Sequence, residues 1–293
     1  MDLGVGLPAT IPTATGSDVL NWARRAEEAG FASVGTIDRL VYGSHETIPT
    51  MAAAAAVTSH IRLITTVIIA PFRGNGTLLA KQLATVDSFA DGRLTVGLAG
   101  GARTEDFTAT GTSFEDRGAV FDGQLAEFKA VWAGEPRGFA GHIGPGPVRP
   151  GGPPLMIGGT SAAAFRRAAA YGAGWLAGGG GVQMFSAGAE RARRAWLETD
   201  REGAPRLAAV AHFALGPDAR LLAETCLGDY YAFMGDYAAT IAAGALTSED
   251  AVRDAIAEFA EAGCDELLLF PCSPALDQLH RLTEITHVGP IDR

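Results

Sequence analysis

Residues 61–106 read IRLITTVIIAPFRGNGTLLAKQLATVDSFADGRLTVGLAGGARTED, and this stretch constrains the fold more than any other. The apolar, β-branched run from Ile61 to Ala70, closed by Pro71, predicts a strand buried on both faces, because no alternation with polar residues marks a solvated side. The period then changes. Leu78, Leu79, Leu83, Val86 and Phe89 are placed on one helical stripe. Asp91-Gly92 ends that helix, Arg93 to Leu98 forms a second buried strand, and Gly100-Gly101 releases the chain. A βαβ unit of this kind presents chemistry on the short loop after its second strand.

The same alternation runs along the rest of the chain. Strands are expected at Leu3–Leu7 and Ser33–Ile37, with a helix between them from about Ser17, its N-cap, to Gly30. An Ala-rich helix at about 47–59 precedes the central unit, and one at 116–133 carries Phe121, Leu125, Phe128 and Trp132 at helical spacing. The segment 134–153 is too rich in Gly and Pro for regular helix and reads as a mobile excursion holding at most a small hairpin around Phe139 and Ile143. Beyond it come strands at 155–157, 174–177, 206–215 and 266–271, with helices at 161–171, 184–200, 218–243 in part, 248–262 and up to 285. Eight strands with intervening helices predict a closed (β/α)8 TIM barrel forming a single domain over 1–293. A doubly wound open sheet is the competing architecture, but it leaves long hydrophobic edges and normally has fewer strands.

Composition narrows the partners. With 47% hydrophobic residues in a 293-residue chain a large core is available, and a net charge of -10 argues against nucleic acid or an anionic membrane surface. Cys226, Cys264 and Cys272 lack C-x-x-C spacing, so neither a disulfide framework nor a cysteine zinc site is expected. His45, His60, His142, His212, His280 and His287 show no ligand spacing, and no metal is expected. The beginning of the chain has no signal-peptide pattern and no apolar run reaches about 18 residues, which gives a cytoplasmic expectation. Gly4 to Ala9 fits G-x-G-x-x-A, but Pro8 and Pro12 follow it where a dinucleotide fingerprint must open a helix.

Five stretches then carry a family likeness: WARRAEEAGFASVGTIDRL (22–40), LAKQLATVDSFADGRLTVG (79–97), EDFTATG (105–111), PPLMIGG (153–159) and GCDELLLFP (263–271). Together they resemble the bacterial luciferase-like flavin-dependent oxidoreductases along nearly the whole chain. The resemblance implies a TIM barrel and either reduced FMN with oxygen, for a monooxygenase, or the deazaflavin coenzyme F420, for hydride transfer. A non-catalytic flavin-binding barrel is the remaining alternative. It also implies a small organic substrate, a separate flavin reductase where reduced FMN is used, and a homo-oligomer.

Residue by residue, the likeness puts the cofactor phosphate at Gly158, Gly159, Thr160 and Ser161 and at the loop Gly100, Gly101, Ala102 and Arg103. Backbone N–H groups at a helix start suit an anion, although Thr160 or Ser161 can equally be an ordinary N-cap. Gly100 stands where luciferases carry an arginine, and Arg103 is read either as a phosphate clamp or as a solvated loop residue. Gly178 and Gly179 open a four-glycine run that lets backbone approach an anion or serves as a flexible linker. The ring face is expected against Thr66, Val67 and Ile68, where family members carry a non-proline cis peptide. Asp38 and Arg39 end the second strand; relatives have Asp-His there, and an arginine instead disfavours histidine-based hydride chemistry and offers a fixed cation for an anionic oxygen species or substrate. A structural Asp38–Arg39 salt bridge is the alternative. Tyr42, His45, Arg73 and Cys272 are further pocket candidates, and His212 is a third catalytic candidate or else a core histidine.

Overall fold

The computed structural model describes residues 1–286 together with 288 and 289; His287 and the expected domain end at Arg293 lie outside the described residues. Nine parallel runs form one sheet: β1 (Asp2–Gly6), β2 (Ser33–Thr36), β3 (Arg62–Thr65), β4 (Ile68–Ile69), β5 (Leu94–Ala99), β6 (Leu155–Gly158), β7 (Gly174–Ala177), β8 (Arg206–Phe213) and β9 (Glu266–Pro271). Both β3 and β4 pair with β5, and β1 pairs with β9. The sheet therefore closes on itself, with β3 and β4 sharing the third of eight barrel positions. The (β/α)8 barrel is present, and the run read as one strand over 61–70 is two, parted at Thr66–Val67, whose peptide is cis.

Inside the barrel Ile64, Met156, Leu176, Ala208, Val210, Leu268 and Phe270 pack together. Glycines make room for the largest of them. A Cβ on Gly6 would lie 2.1 Å from the Phe270 ring, and one on Gly4 would lie 2.3 Å from Ser33 Oγ. The outer core, between strands and helices, holds Trp22, Phe31, Leu83, Phe121, Phe128 and Trp175 among others. At the N-terminal end of the strands, Arg62 and Arg206 each contact both Asp2 and the buried Glu266 at 2.6–3.1 Å, a placement that serves stability rather than chemistry.

The surrounding helices are α1 (Gly16–Ala29), α2 (Thr47–Val57), α3 (Gly76–Phe89), α4 (Thr104–Thr110), α5 (Arg117–Trp132), α6 (Ala162–Tyr171), α7 (Gly181–Leu197), α8 (Ala219–Tyr230), α9 (Tyr237–Ala243), α10 (Glu249–Glu261) and α11 (Leu276–Thr286). Some local readings change. The cap of α1 is Thr15, not Ser17: its side chain accepts from Asp18 N while the Asp18 carboxylate accepts from Thr15 N, a reciprocal box that outcompetes a lone serine. On α3 the buried stripe is Leu79, Leu83, Val86 and Ala90, and Leu78 and Phe89 are exposed, each one position, or about 100°, off that line. The 134–153 excursion contains no strand, only a short 3-10 turn at Gly138–Ala140, so the hairpin is not formed.

Candidate functional site

At the C-terminal end of the barrel, Asp38 leaves β2 and turns inward. Its carboxylate accepts from Arg73 Nη2 at 2.9 and 3.0 Å and from the Ile69 backbone N–H at 2.9 Å, and Arg73 also reaches Glu46 at 2.6 Å. Asp38 thus pairs with Arg73, and the alternative of an Asp38–Arg39 salt bridge is not what the chain adopts. The loop that follows is fastened by α4: Asp106 Oδ1 accepts from the N–H groups of Leu40 and Val41, at 3.2 and 2.8 Å. Arg103 is no solvated loop residue either. Its Nε donates to Asp106 at 2.9 Å and its Nη2 to the Asp38 carbonyl at 2.7 Å, so two of its donors are committed within the protein.

Arg39 points the other way, beneath a cover made by the end of α8 and the 3-10 turn Ala232–Met234. Its Nη1 donates to the Tyr230 carbonyl, its guanidinium lies 4.5, 5.1 and 5.2 Å from the ring centres of Tyr42, Phe233 and Tyr230, and only 9% of its side chain is exposed. The cation is boxed by aromatic faces. The Tyr42 hydroxyl closes the box by donating to Asp229; burial first, and then that carboxylate, push its pKa upward. The buried Tyr230 hydroxyl and Arg39 Nε have no partner.

The cofactor candidates lie across the barrel mouth. Thr65 Oγ1 replaces the missing ladder contacts where β3 stops, donating to the Gly97 carbonyl and accepting from Gly97 N, both at 2.8 Å. Thr66 reaches the Thr36 carbonyl with its N–H and its hydroxyl, at 2.7 and 3.0 Å. Val67 then faces two glycines: a Cβ on Gly97 or Gly158 would stand 3.2 or 3.0 Å from its Cγ1. Beside it Thr36 Oγ1 is buried without a partner. Ile68, the last of the ring-face candidates, starts β4 and is fully buried.

Gly159 follows at φ +113°, and its carbonyl accepts from Trp175 Nε1 at 2.8 Å. Ser161 is the N-cap of α6, accepting from Ala164 N at 3.2 Å, while Gly159, Thr160 and Ser161 are exposed. Of the facing loop, Gly100 has open space where a Cβ would stand, Gly101 sits at φ +81° against Ile69 and Phe107, and Ala102 is exposed. Gly178 and Gly179 are exposed, and α7 begins at Gly181 rather than at Met184. Arg191 was not legible as a site residue. From the middle of α7 it stacks 4.5 Å over Phe165 and donates to the Thr160 carbonyl at 2.8 Å, which brings a cation to the turn; nothing in its spacing signals this.

His212 lies near the end of β8 and lines a cavity of about 430 Å3 with Gly179, Met184, Tyr231, Tyr237 and Leu246. Tyr231 meets the ring edge-on, 6.1 Å between centres. Burial lowers the His212 pKa from 6.5 to about 4, so the imidazole is neutral at physiological pH. Of the remaining candidates, His45 is tied to the Ala14 carbonyl at 3.0 Å, away from this cavity, and Cys272 is buried beside Cys226. The His212 shift makes a prediction. The unfolded chain binds this proton below pH 6.5 and the folded one only near pH 4, so stability is complete above 6.5 and is lost as the pH falls toward 4. The full displacement corresponds to on the order of 3 kcal/mol, and access of cavity water to one ring face reduces it to roughly 1–2 kcal/mol. Urea titrations at pH 7 and pH 4.5 should show His212→Gln losing less than the wild type by that amount; equal losses would remove His212 from the linkage.

Among the described residues no group of His, Cys, Asp or Glu could hold a metal, and no helix is long and apolar enough to cross a membrane. An F420-dependent glucose-6-phosphate dehydrogenase of Beutenbergia cavernae is 32% identical over 142 residues, 45% of this chain and 42% of that protein; the chain thus matches less than half the length of this curated relative. Two solved structures share the fold. An F420-dependent secondary alcohol dehydrogenase in complex with an F420-acetone adduct superposes with a TM-score of 0.82 at 18% identity, covering 99% of both chains. A type II Baeyer-Villiger monooxygenase from Pseudomonas putida in complex with FMN gives 0.73 at 17%, covering 97% of this chain and 95% of that one. The family model for luciferase-like monooxygenases matches residues 1–263, every barrel strand but β9, and the chain belongs to that family.

Proposed function

We propose that this chain is a reduced-FMN, oxygen-using monooxygenase acting on a small, largely apolar organic substrate. The carrying observation is the fate of Asp38 and Arg39, in the loop that follows β2. Asp38 is spent on Arg73 and Ile69, and Arg39 is boxed under the cover, its guanidinium donating to the Tyr230 carbonyl. A hydride transfer to or from an alcohol needs a proton acceptor at that edge, whereas oxygen activation needs a dry pocket and a fixed positive charge. The glycine floor at Gly97 and Gly158, the exposed turn Gly159–Ser161 and the unpartnered Thr36 hydroxyl fit a flat ring with a phosphate tail.

In this reading the backbone of Gly159–Ser161 and of Gly100–Ala102 holds the phosphate, with Arg191 adding charge from behind. Val67 supports the ring, and Tyr230, Tyr231 and Phe233 exclude water. Reduced FMN supplies the electrons for oxygen when bound. His212, neutral and facing the cavity, holds or accepts a proton from the substrate. That same neutral base favours a second reading, hydride transfer with F420.

Fluorescence titration of the purified protein with reduced FMN, oxidised FMN and F420 separates the two. Tightest binding of reduced FMN, with substrate-dependent oxygen uptake, is expected; tight binding of F420 alone would replace this reading with the second, and binding of none would remove both. In the same assay Gly159→Val should weaken binding of the selected cofactor about 30-fold, close to 2 kcal/mol. The left-handed backbone of Gly159 adds a folding cost of about 1–2 kcal/mol, so a melt must accompany the titration. Unchanged affinity in a folded variant would move the phosphate elsewhere.

A further inference from the structure

Two of the three cysteines, all free thiols, meet at the barrel rim. Cys272 is the first residue after β9 and is 3% exposed; Cys226 is half-buried on α8 and packs against the same small-residue cluster, Ala214, Ala219, Ala223 and Ala242. The Cys226 side chain thus packs against the same cluster that holds the Cys272 thiol, so both thiols lie at one place on the rim. The third cysteine, Cys264, is at the opposite end of β9, its thiol donating to the Glu266 carbonyl at 3.2 Å.

What makes the pair consequential is what α8 carries. Four residues beyond Cys226 the helix ends at Tyr230, whose carbonyl takes the Arg39 hydrogen bond, and Asp229 takes that of Tyr42. Cys272 in turn is bonded through its N–H to the Phe213 carbonyl at 2.9 Å, part of the rigid rim. A covalent link between the two would join the helix that carries the cover to the barrel wall. We propose that Cys226 and Cys272 form a reversible intramolecular disulfide, made by hydrogen peroxide, that fastens the cover over the barrel mouth.

The two thiols are unequal. The hydrogen bond with Cys272 is the main influence lowering the Cys226 pKa, against burial and the Asp229 charge, and the same hydrogen bond together with burial pushes Cys272 up. Cys226 is also the more exposed of the two, Cys272 being 3% exposed, so peroxide reaches Cys226 first and Cys226 is the attacking thiolate. Its sulfur displaces hydroxide from hydrogen peroxide: an S–O bond forms, the O–O bond breaks, and the hydroxide takes up a proton to leave as water. The Cys272 sulfur then attacks the sulfenic acid, an S–S bond forms, the S–O bond breaks and a second water leaves with the Cys272 proton. Two thiols lose two electrons in all, and one peroxide becomes two waters. Cys264, whose pKa burial raises to about 12, takes no part.

The test uses the full chain, reduced and then exposed to excess hydrogen peroxide. Thiol counting in denaturant is expected to fall from three to one, peptide mapping without reductant to join the peptides of Cys226 and Cys272 within one chain, and dithiothreitol to restore all three thiols. Cys272→Ser should stop at a sulfenic acid on residue 226, trapped by dimedone, and Cys226→Ser should keep both of its remaining thiols. Hydrogen exchange at 229–234 should slow about tenfold in the oxidised protein. Three surviving thiols, loss of Cys264 at the same rate, or a link between chains would overturn the pairing; unchanged exchange at 229–234 in a cross-linked sample would overturn the fastening.

Discussion

Replacing Asp38 with alanine is expected to lower the unfolding free energy by about 3–5 kcal/mol, the range for removing one partner of a buried ion pair. Asp38 is 3% exposed and Arg73 15%. Burial works against the Arg73 charge, yet its pKa is raised overall because Asp38 and Glu46 face it. Without Asp38 the guanidinium keeps only Glu46, which is 40% exposed, and the Ile69 N–H loses its acceptor in the interior. Asp38→Asn should cost about half as much, since the amide oxygen still accepts one hydrogen bond, and Glu46→Gln less than about 1 kcal/mol because water reaches that carboxylate. Urea unfolding of the three variants at neutral pH gives the order directly. A loss below 1 kcal/mol for Asp38→Ala would mean that the pair is not formed in solution and would return Asp38 to the list of chemically available carboxylates.

The barrel was legible because its signal is repeated: short, largely apolar strands alternate with helix-length segments, and eight repeats average out local error. Interruptions were not. From Ile61 to Ala70 the chain is uniformly apolar, so period and polarity could not show where the ladder breaks; only the family likeness pointed to Thr66 and Val67. The seven residues of α4 escaped because two turns offer too little periodicity, although its Asp106 anchors the 38–41 loop. For the candidate site, glycines and capping residues could be read from their turn chemistry. Partners could not. That Asp38 selects Arg73 over its neighbour Arg39, or that Arg191 reaches Thr160 from a helix turn 31 residues on, depends on how strands and helices are stacked, and charge alone does not encode that choice. In the loop after β2 Asp38 faces Arg73 and the Ile69 N–H while Arg39 reaches the Tyr230 carbonyl under the cover, so the two neighbours diverge and the Asp38–Arg39 pair does not form.

Arg39→Ala is expected to lower turnover about 100-fold while cofactor affinity stays within roughly threefold, as when one preorganised electrostatic stabiliser is lost. The Arg39 guanidinium, in the loop after β2, is not tied to a buried carboxylate: its contact with Glu105 is 3.7 Å, and its remaining neighbours are a carbonyl and three aromatic rings. Such a charge is weakly screened, and under the proposed function it would stabilise an anion formed beneath the cover. It also pins the cover, so two consequences must be parted. Phe233→Ala and Tyr42→Phe loosen the aromatic box yet leave the charge in place, and they are expected to cost less than tenfold. Arg39→Lys keeps a charge without the planar fork that reaches the Tyr230 carbonyl, and should fall between. Steady-state oxygen consumption with the cofactor selected by titration measures all four. Equal losses in Phe233→Ala and Arg39→Ala would assign the effect to water exclusion by the cover, and full activity in Arg39→Ala would leave Arg39 as a structural pin, its charge compensated by the rings around it.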